Sequence, residues 1–265
     1  MKRELLVSAI IPTYNRIDLL KDAINSVLNQ TYKNIEIIVV NDGGSDRTEE
    51  VLQSYIRQNK IKYIYQNNKG LSAARNTGIK NAKGDLIAFL DDDDTWDEIK
   101  IQLQVKKLKN NQDAIMCTCG VKINYLYTKM SYNNYPNIED ITFDKMLFRN
   151  YMGISSCILV WAKIFNEIGY YDETLPARED YDFHIRISKH YKVTYVNKVL
   201  VNYLIHENPN KQMNSGIERF KIANKLIYNK YNKYYKNFTK ELLNIRLSTI
   251  YFQYSTICIN NQLKK

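Results

Sequence analysis

Four carboxylates, Asp91, Asp92, Asp93 and Asp94, stand in a row within FLDDDDTW, directly behind the apolar run of DLIAFL. Two unit charges about 4 Å apart repel by roughly 4 kcal/mol at an effective dielectric near 20. Such a run is either bathed in water or built to meet positive charge. Asp91 and Asp93 are two positions apart, so in extended chain their side chains share a side, with Cα atoms about 7 Å apart. A hard divalent cation takes oxygen ligands and completes its shell with water and phosphate. The competing reading is a solvated acidic loop that caps a helix at Asp94 or Thr95. A second acidic cluster lies in AREDYD, Ala177 to Asp182. On a helix Glu179 and Asp182 share a face and Asp180 points elsewhere; the plain alternative is a solvated helix start favoured by the dipole. Asp182 and Arg186 have the spacing of an ordinary helix bridge, and His184 and His190 read as structural or exposed.

These residues need a scaffold. LLVSAII (Leu5 to Ile11) reads as a buried strand stopped by Pro12. Leu20, Ala23, Ile24, Val27 and Leu28 give Asp18 to Gln30 a helical stripe. IEIIVV is a second strand, NDGGSD a turn with Ser45 as helix cap, IKYIY a third strand, LSAARNTGIKNA a helix and DLIAFL a fourth strand. Ile- and Val-rich strands alternating with helices imply an α/β fold with a mostly parallel sheet covered on both faces. Ligands of such sheets sit beyond the carboxyl ends of the strands, where PTYNR, NDGGSD and DDDDTW all fall. Further on, a helix is expected over Asp97 to Lys109. AIMCT, VKINYLY and ISSCILV read as strands, Ala177 to Tyr191 as a helix, VTYVNKVLVNYLIH as two short strands, and the chain from about Met213 as two amphipathic helices. Ile217, Phe220, Ala223, Ile227 and Tyr231 form one apolar stripe of the first.

At 265 residues with 45% apolar content the chain suits one large domain or a domain with an appendage. The boundaries read as 1–210 for the α/β domain and 211–265 for a basic, Tyr- and Lys-rich helical extension. Of the net charge of +10, +9 falls after residue 210, where eleven Lys and Arg face two acids. That suggests an anionic partner surface. Cys117, Cys119, Cys157 and Cys258 lack zinc-knuckle spacing and fit ordinary core residues of a reducing compartment. No leader and no membrane-spanning run is expected, which points to a cytoplasmic protein.

SAIIPTYNR, VVNDGGSD, GLSAARNTGIKNAKGDLIAFLDDDDTW and AREDYDFHIRI follow one another in the order and approximate spacing of family 2 of the glycosyltransferases, which the chain resembles from about Val7 to His206. The resemblance implies a GT-A fold and inverting transfer of a sugar from a nucleotide-diphosphate donor, with Mn²⁺ or Mg²⁺ as cofactor. It places Pro12, Thr13, Tyr14 and Arg16 in the first nucleotide loop and Asp42 on a base N–H, a uracil N3–H being the natural donor. Arg75 would reach base and diphosphate, and Asp91 or Asp92 the ribose or a metal water. Asp93 would bind metal directly, with Asp91 as a second candidate and His206 joining once donor is bound. Asp180 matches the catalytic base. Glu179 is placed on the acceptor side, and by residue type Trp161, like Trp96, could line the acceptor site or pack in the core. Relatives often carry an arginine two residues before that histidine; this chain has Leu204, so its role falls to Arg75, Lys211 or another cation.

The implied partners are a nucleotide-sugar donor and a glycan, lipid-linked or polymeric acceptor, as in cell-envelope polysaccharide synthesis. Lys and Tyr interleave in KLIYNKYNKYYKNFTK as they would on a helix at a lipid interface, at the inner face of a membrane. A helix pair packed on the domain, or an oligomer contact, is the plain alternative. Two rival readings are a nucleic-acid-binding protein using the basic tail, for which the acidic motifs have no use, and a donor-binding module without turnover. PTYNR is not the Gly-rich basic loop of a sugar nucleotidyltransferase.

Overall fold

The computed structural model describes residues 3–137, 139, 141–206 and 216–262, with side chains described as far as 258. Lys211 lies outside the described residues. The first third alternates β1 (Val7–Thr13), α1 (Ile17–Leu28), β2 (Ile35–Asp42), α2 (Thr48–Arg57), β3 (Lys62–Gln66), α3 (Leu71–Asn81) and β4 (Leu86–Phe89). Then come β5 (Thr95–Trp96), α4 (Lys100–Asn110), β6 (Ala114–Tyr125), β7 (Met130–Asn134), α5 (Phe143–Met146), β8 (Leu159–Trp161), α6 (Ile164–Ile168), α7 (Glu179–His190) and β9 (Lys192–Ile205). Helices α8 (Ile217–Lys230), α9 (Asn232–Tyr235) and α10 (Lys240–Gln262) close the chain.

The strands form one mixed sheet in the order β3-β2-β1-β4-β8-β6-β9-β5, with β7 paired to β6. β1 to β4 are mutually parallel, and β8 runs against both β4 and β6. β6 and β9 are parallel to each other, so the carboxyl ends of β1, β2, β4, β6 and β9 share one rim. Leu20, Ala23, Ile24 and Val27 of α1 bury against one face of the sheet together with Ile101, Val105 and Leu108 of α4. Phe89, Met116, Phe183 and Ile187 pack on the other. Gly78 lets α3 come close to the sheet, since a Cβ there would stand 2.3 Å from Ile10 Cγ2.

Several elements differ from the sequence-based expectation. Pro12 does not stop β1 but pairs in register with Val40. Ile10 O accepts from Leu90 N, so strand alternation turns Pro12 N to the same side, past the end of β4, where no ladder bond is lost. The expected cap Ser45 gives its N–H to Asn15 Oδ1 (2.7 Å), and Asp46 accepts from Thr48 at the helix start. AIMCT and VKINYLY are one strand, β6, and the two strands expected after Tyr191 are one, β9. The register jumps from Cys119↔Val196 to Gly120↔Val199, so the turn-like Asn197-Lys198 pair is absorbed as a bulge. Ser155–Cys157 is a 3₁₀ turn ahead of the short β8. Cys117, Cys119 and Cys157 are buried and free, whereas Cys258 is exposed.

The C-terminal helices pack on the α/β body. Ile227, Tyr231 and Tyr235 are buried beside Met146, Leu147 and Phe183. Tyr231 Oη donates to the fully buried Asp182 Oδ1 (2.9 Å), Lys230 Nζ reaches the same oxygen (2.8 Å) and Arg186 Nε holds Oδ2 (3.0 Å). The buried Arg246 donates to Leu147 O (3.1 Å). Among the described residues no helix is long and apolar enough to cross a membrane.

A hydrogen bond to a buried charged group contributes about 1.5–3 kcal/mol. Tyr231→Phe should therefore destabilise the protein by about that much in urea unfolding; an unchanged midpoint would mean that the bond from Tyr231 to Asp182 contributes nothing to the fold.

Candidate active site

The rim of β1 carries PTYNR. Thr13 is buried and its Oγ1 donates to Asp92 Oδ2 (2.7 Å). Tyr14 is 47% exposed, a ring free to stack. Asn15 takes a left-handed conformation (φ 54°) and its Oδ1 accepts from Ser45 and Asp46 N–H, tying this loop to the one after β2. There Gly43 has φ +78°, and a Cβ would meet Asn68 N at 2.5 Å, so only glycine fits that turn. Asp42 is oriented by Gln66 Nε2 (2.7 Å) and Lys69 N (2.9 Å) on Oδ1 and Gly70 N (2.8 Å) on Oδ2. One lone pair of Oδ2 is left for a further donor.

The acidic run is not a solvated loop: Asp92, Asp93 and Asp94 are buried and Asp91 half-buried. Arg16 Nη1 lies 2.9 Å from both Asp92 Oδ1 and Asp93 Oδ2. Ser156 accepts from Asp91 N (3.1 Å) and donates to Asp94 Oδ2 (2.5 Å). Burial pushes the Asp94 carboxyl well above the usual range, with the charges of Asp93 and Asp91 adding to it. Burial likewise raises Asp92 to about 7, Arg16 opposing and Asp93 adding. Asp91 moves up for the same first reason, with Arg75 opposing.

Arg75 differs most from expectation. It is 1% exposed, and its guanidinium spans Asp91 Oδ1 (Nη2, 2.6 Å) and Glu179 Oε1 (Nη1, 2.5 Å) over the face of Tyr171. It therefore joins the acidic run to the start of α7 instead of standing free for base and diphosphate. The neighbouring Asn76 fixes the same segment, donating to Tyr171 O (2.9 Å) and Glu173 Oε1 (2.7 Å) and accepting from Tyr171 N (3.0 Å). At the start of α7, Arg178 adopts the left-handed region (φ 61°), uncommon for a long side chain, and donates to Gln253 of α10. The half-buried Asp180 follows, its Oδ1 accepting from Tyr181 N (2.7 Å). Burial raises its pKa, opposed first by Arg75.

His206, at the end of β9, is buried, and its Nε2 lies 3.4 Å from Asp93 Oδ2 with no hydrogen-bond partner among the described residues. An orphaned imidazole nitrogen facing a carboxylate is the donor set a divalent cation takes up, so Asp93 and His206 fit the metal the fold family implies. Asp91, the second candidate, is engaged by Arg75. Among the described residues no group of three or more His, Cys, Asp or Glu is arranged as a metal site. Trp161 stands apart from all of these. It pairs opposite Leu86 at the amino end of β4, the far end from the acidic run, and packs against both core clusters; an acceptor-side place does not follow from its position. Ser156 and Asn76 were missed. Their signals are slight: a serine pair ahead of ILVW, and a lone amide beside Arg75 on α3.

The family model described as glycosyl transferase family 2 matches residues 8–169. The chain is 37% identical over 210 residues to an uncharacterized glycosyltransferase of Rickettsia typhi (strain ATCC VR-144 / Wilmington), an alignment covering 76% of this chain and 64% of that protein. The crystal structure of S. aureus TarS 1-349 in complex with UDP-GlcNAc superposes with a TM-score of 0.64 at 18% identity, over 83% of this chain and 65% of that one. A mannosyltransferase from Pyrobaculum calidifontis, PcManGT, in complex with GDP-Man and Mn²⁺, superposes at 0.61 and 12% identity, over 99% and 86%. The fold is GT-A, and the chain belongs to glycosyltransferase family 2. It spans just under two thirds of the Rickettsia relative's length. The matched family segment includes the acidic run and ends before Asp180 and His206.

Removing one partner of a buried ion pair costs about 3–5 kcal/mol. Arg75→Gln should lose about that much stability in denaturant unfolding, and Arg75→Lys, which keeps the charge without the fork, should lose less. A Gln variant as stable as the parent would show that water relieves Asp91 and Glu179.

Proposed function

We propose that the protein is an inverting glycosyltransferase that moves a hexose from a UDP-sugar to a hydroxyl of a glycan, lipid-linked or polymeric acceptor. The observation that carries this reading is that two acidic motifs far apart in sequence meet at one sheet rim, bridged by Arg75. The donor would lie along that rim. Tyr14 would stack on the base and Asp42 Oδ2 accept a uracil N3–H. Pro12, Thr13, Arg16, Asp91 and Asp92 would line the ribose and diphosphate. Asp93 and His206 would hold Mn²⁺ or Mg²⁺, which when bound supplies positive charge to the departing diphosphate. Asp180 would take the acceptor hydroxyl's proton as its oxygen attacks the anomeric carbon from the face opposite the diphosphate, with Glu179, fixed by Arg75, on the same side. A diphosphate leaves as an anion, so no general acid is needed.

The tail speaks less for nucleic acid than its charge suggests, because Arg219, Lys230 and Arg246 already have partners within the protein. Ile245, Leu247, Tyr251 and Phe252 of α10 are exposed, apolar surface that a peripheral membrane contact at a cytoplasmic face would cover. A screen of UDP- and GDP-sugars for Mn²⁺-dependent hydrolysis tests class, base and sugar together; activity with GDP-sugars alone would remove uridine from the reading, and no activity with either would favour a binding module.

Asp180→Asn should keep UDP affinity while transfer falls by orders of magnitude; equal turnover would remove Asp180 from its role. A base works unprotonated, and the Asp180 pKa is raised, so kcat/KM should fall with acidification at a pH above the ordinary aspartate value of about 3.9. An acid limb at or below that value would contradict it. Asp93→Ala should abolish Mn²⁺-dependent UDP binding by calorimetry, and unaltered binding would contradict the metal assignment.

A further inference from the structure

Asp42 is the residue proposed to meet the base, and most of its acceptor capacity is taken up inside the protein. An ionised carboxylate offers about four lone-pair sites and no donor. Among the described residues Gln66 Nε2 (2.7 Å) and Lys69 N (2.9 Å) fill Oδ1, and Gly70 N (2.8 Å) takes one site of Oδ2. Parallel pairing of β2 with β3 sets Gln66 directly opposite Asp42, so the two side chains stand on the same face at the rim. Gly70, at φ +89°, takes a conformation that favours glycine, and the turn there brings two successive N–H groups onto the same carboxylate. Those backbone donors belong to the loop whatever its side chains; the donor of Gln66 is the one that a different side chain would remove. Asp42 is 5% exposed, so water does little for a ligand donor that finds no acceptor there.

We propose that Gln66 is a positioning residue that sets base specificity: by occupying Oδ1 it leaves Asp42 a single acceptor site, which selects a base with one ring N–H between two carbonyls and rejects guanine. The inference rests on the donor reading above, in which the base meets Asp42. Uracil and thymine carry that imide edge, with N3–H as its one donor. Guanine presents two donors side by side, N1–H and the N2 amino group, and a carboxylate pairs with them through both oxygens. With N1–H on Oδ2, the N2 amino group would point at Oδ1, where the Gln66 amide and the Lys69 N–H already donate. Donor would face donor, and an N–H would be left unpaired against a buried carboxylate. Cytosine and adenine set a ring-nitrogen acceptor beside an amino donor, so a lone pair would face the carboxylate. A site whose hydrogen-bonding groups match one substrate discriminates strongly against an analogue that leaves them unpaired. Gln66 acts through Asp42, not on the base itself, and its mark is a change in the ratio of affinities.

The test is a calorimetric titration of the full chain with UDP, dTDP, CDP and GDP in the presence of Mn²⁺. The parent should bind UDP or dTDP about tenfold or more tighter than CDP or GDP, and the tighter of the first two names the base. Gln66→Met keeps the length of the side chain and removes its donor. It should lower the preference for the imide nucleotide over GDP about tenfold or more, through weaker binding of the first, tighter binding of GDP, or both. Gln66→Ala is the second variant and should shift the ratio the same way, with thermal melting to show that each variant is folded. A merely structural residue would weaken every nucleotide alike. An unaltered ratio in both variants removes Gln66 from the role and leaves the donor reading standing. A parent that prefers GDP or CDP overturns the single-acceptor argument and leaves nucleotide-sugar transfer standing. No nucleotide bound by the parent sinks the donor reading as well.

Discussion

Two guanidinium groups hold the candidate site together. Asp91, Asp92, Asp93 and Glu179 crowd the carboxyl rim of the sheet, and Arg16 and Arg75 lie between them. Without these cations each neighbouring pair of carboxylates would repel by several kcal/mol, and the loops that carry them would spread into water. With them, the acidic run turns inward and Thr13 and Ser156 supply hydrogen bonds to its oxygens. The two arginines are not equivalent. Arg75 is enclosed and joins elements, so its role is architectural. Arg16 stands at the mouth, on the same Asp93 oxygen that faces His206, where bound phosphate and metal would meet it.

That arrangement depends on features well away from the rim. The close approach of α3 to β1, permitted by Gly78, sets Arg75 and Asn76 against the segment before α7. The tail holds the other side of that segment through Tyr231 and Lys230 on Asp182, through Arg219 on Pro176 O, and through Gln253 under Arg178. Asp180 is thus carried on a helix start gripped from two directions, the preorganisation that the proposed base would need. The C-terminal helices, whose sequence suits either an anionic partner surface or a helix pair packed on the domain, do pack on it and brace the helix that carries Asp180.

The first four strands and the helices between them were legible because short Ile- and Val-rich runs alternate with helical segments, α1 with a clear apolar stripe, and the gathering of three polar loops at one rim followed from parallel topology. Long-range compensation was not legible. Nothing local to Gly120 or to Asn197 and Lys198 signals that they form one bulge inside long strands; the pairing is visible only with both strands present. Arg75 sits in a segment that reads simply as a helix, and its burial arises from acids sixteen and more than a hundred positions away. Trp161 could by residue type line an acceptor site or pack in the core, and strand register puts it with the core, at the far end of the sheet from the acidic run.

The central claim is that this ring of acids, steadied by Arg16 and Arg75, receives a divalent cation and the diphosphate it neutralises. The direct measurement is anomalous diffraction from crystals grown with Mn²⁺ and UDP. The account predicts one manganese peak bonded to Asp93 Oδ2 and His206 Nε2, with the diphosphate on its open side and Arg75 still bridging Asp91 and Glu179. Bound UDP with manganese elsewhere, or a rim that holds neither while Arg16 keeps both carboxylates, would contradict it.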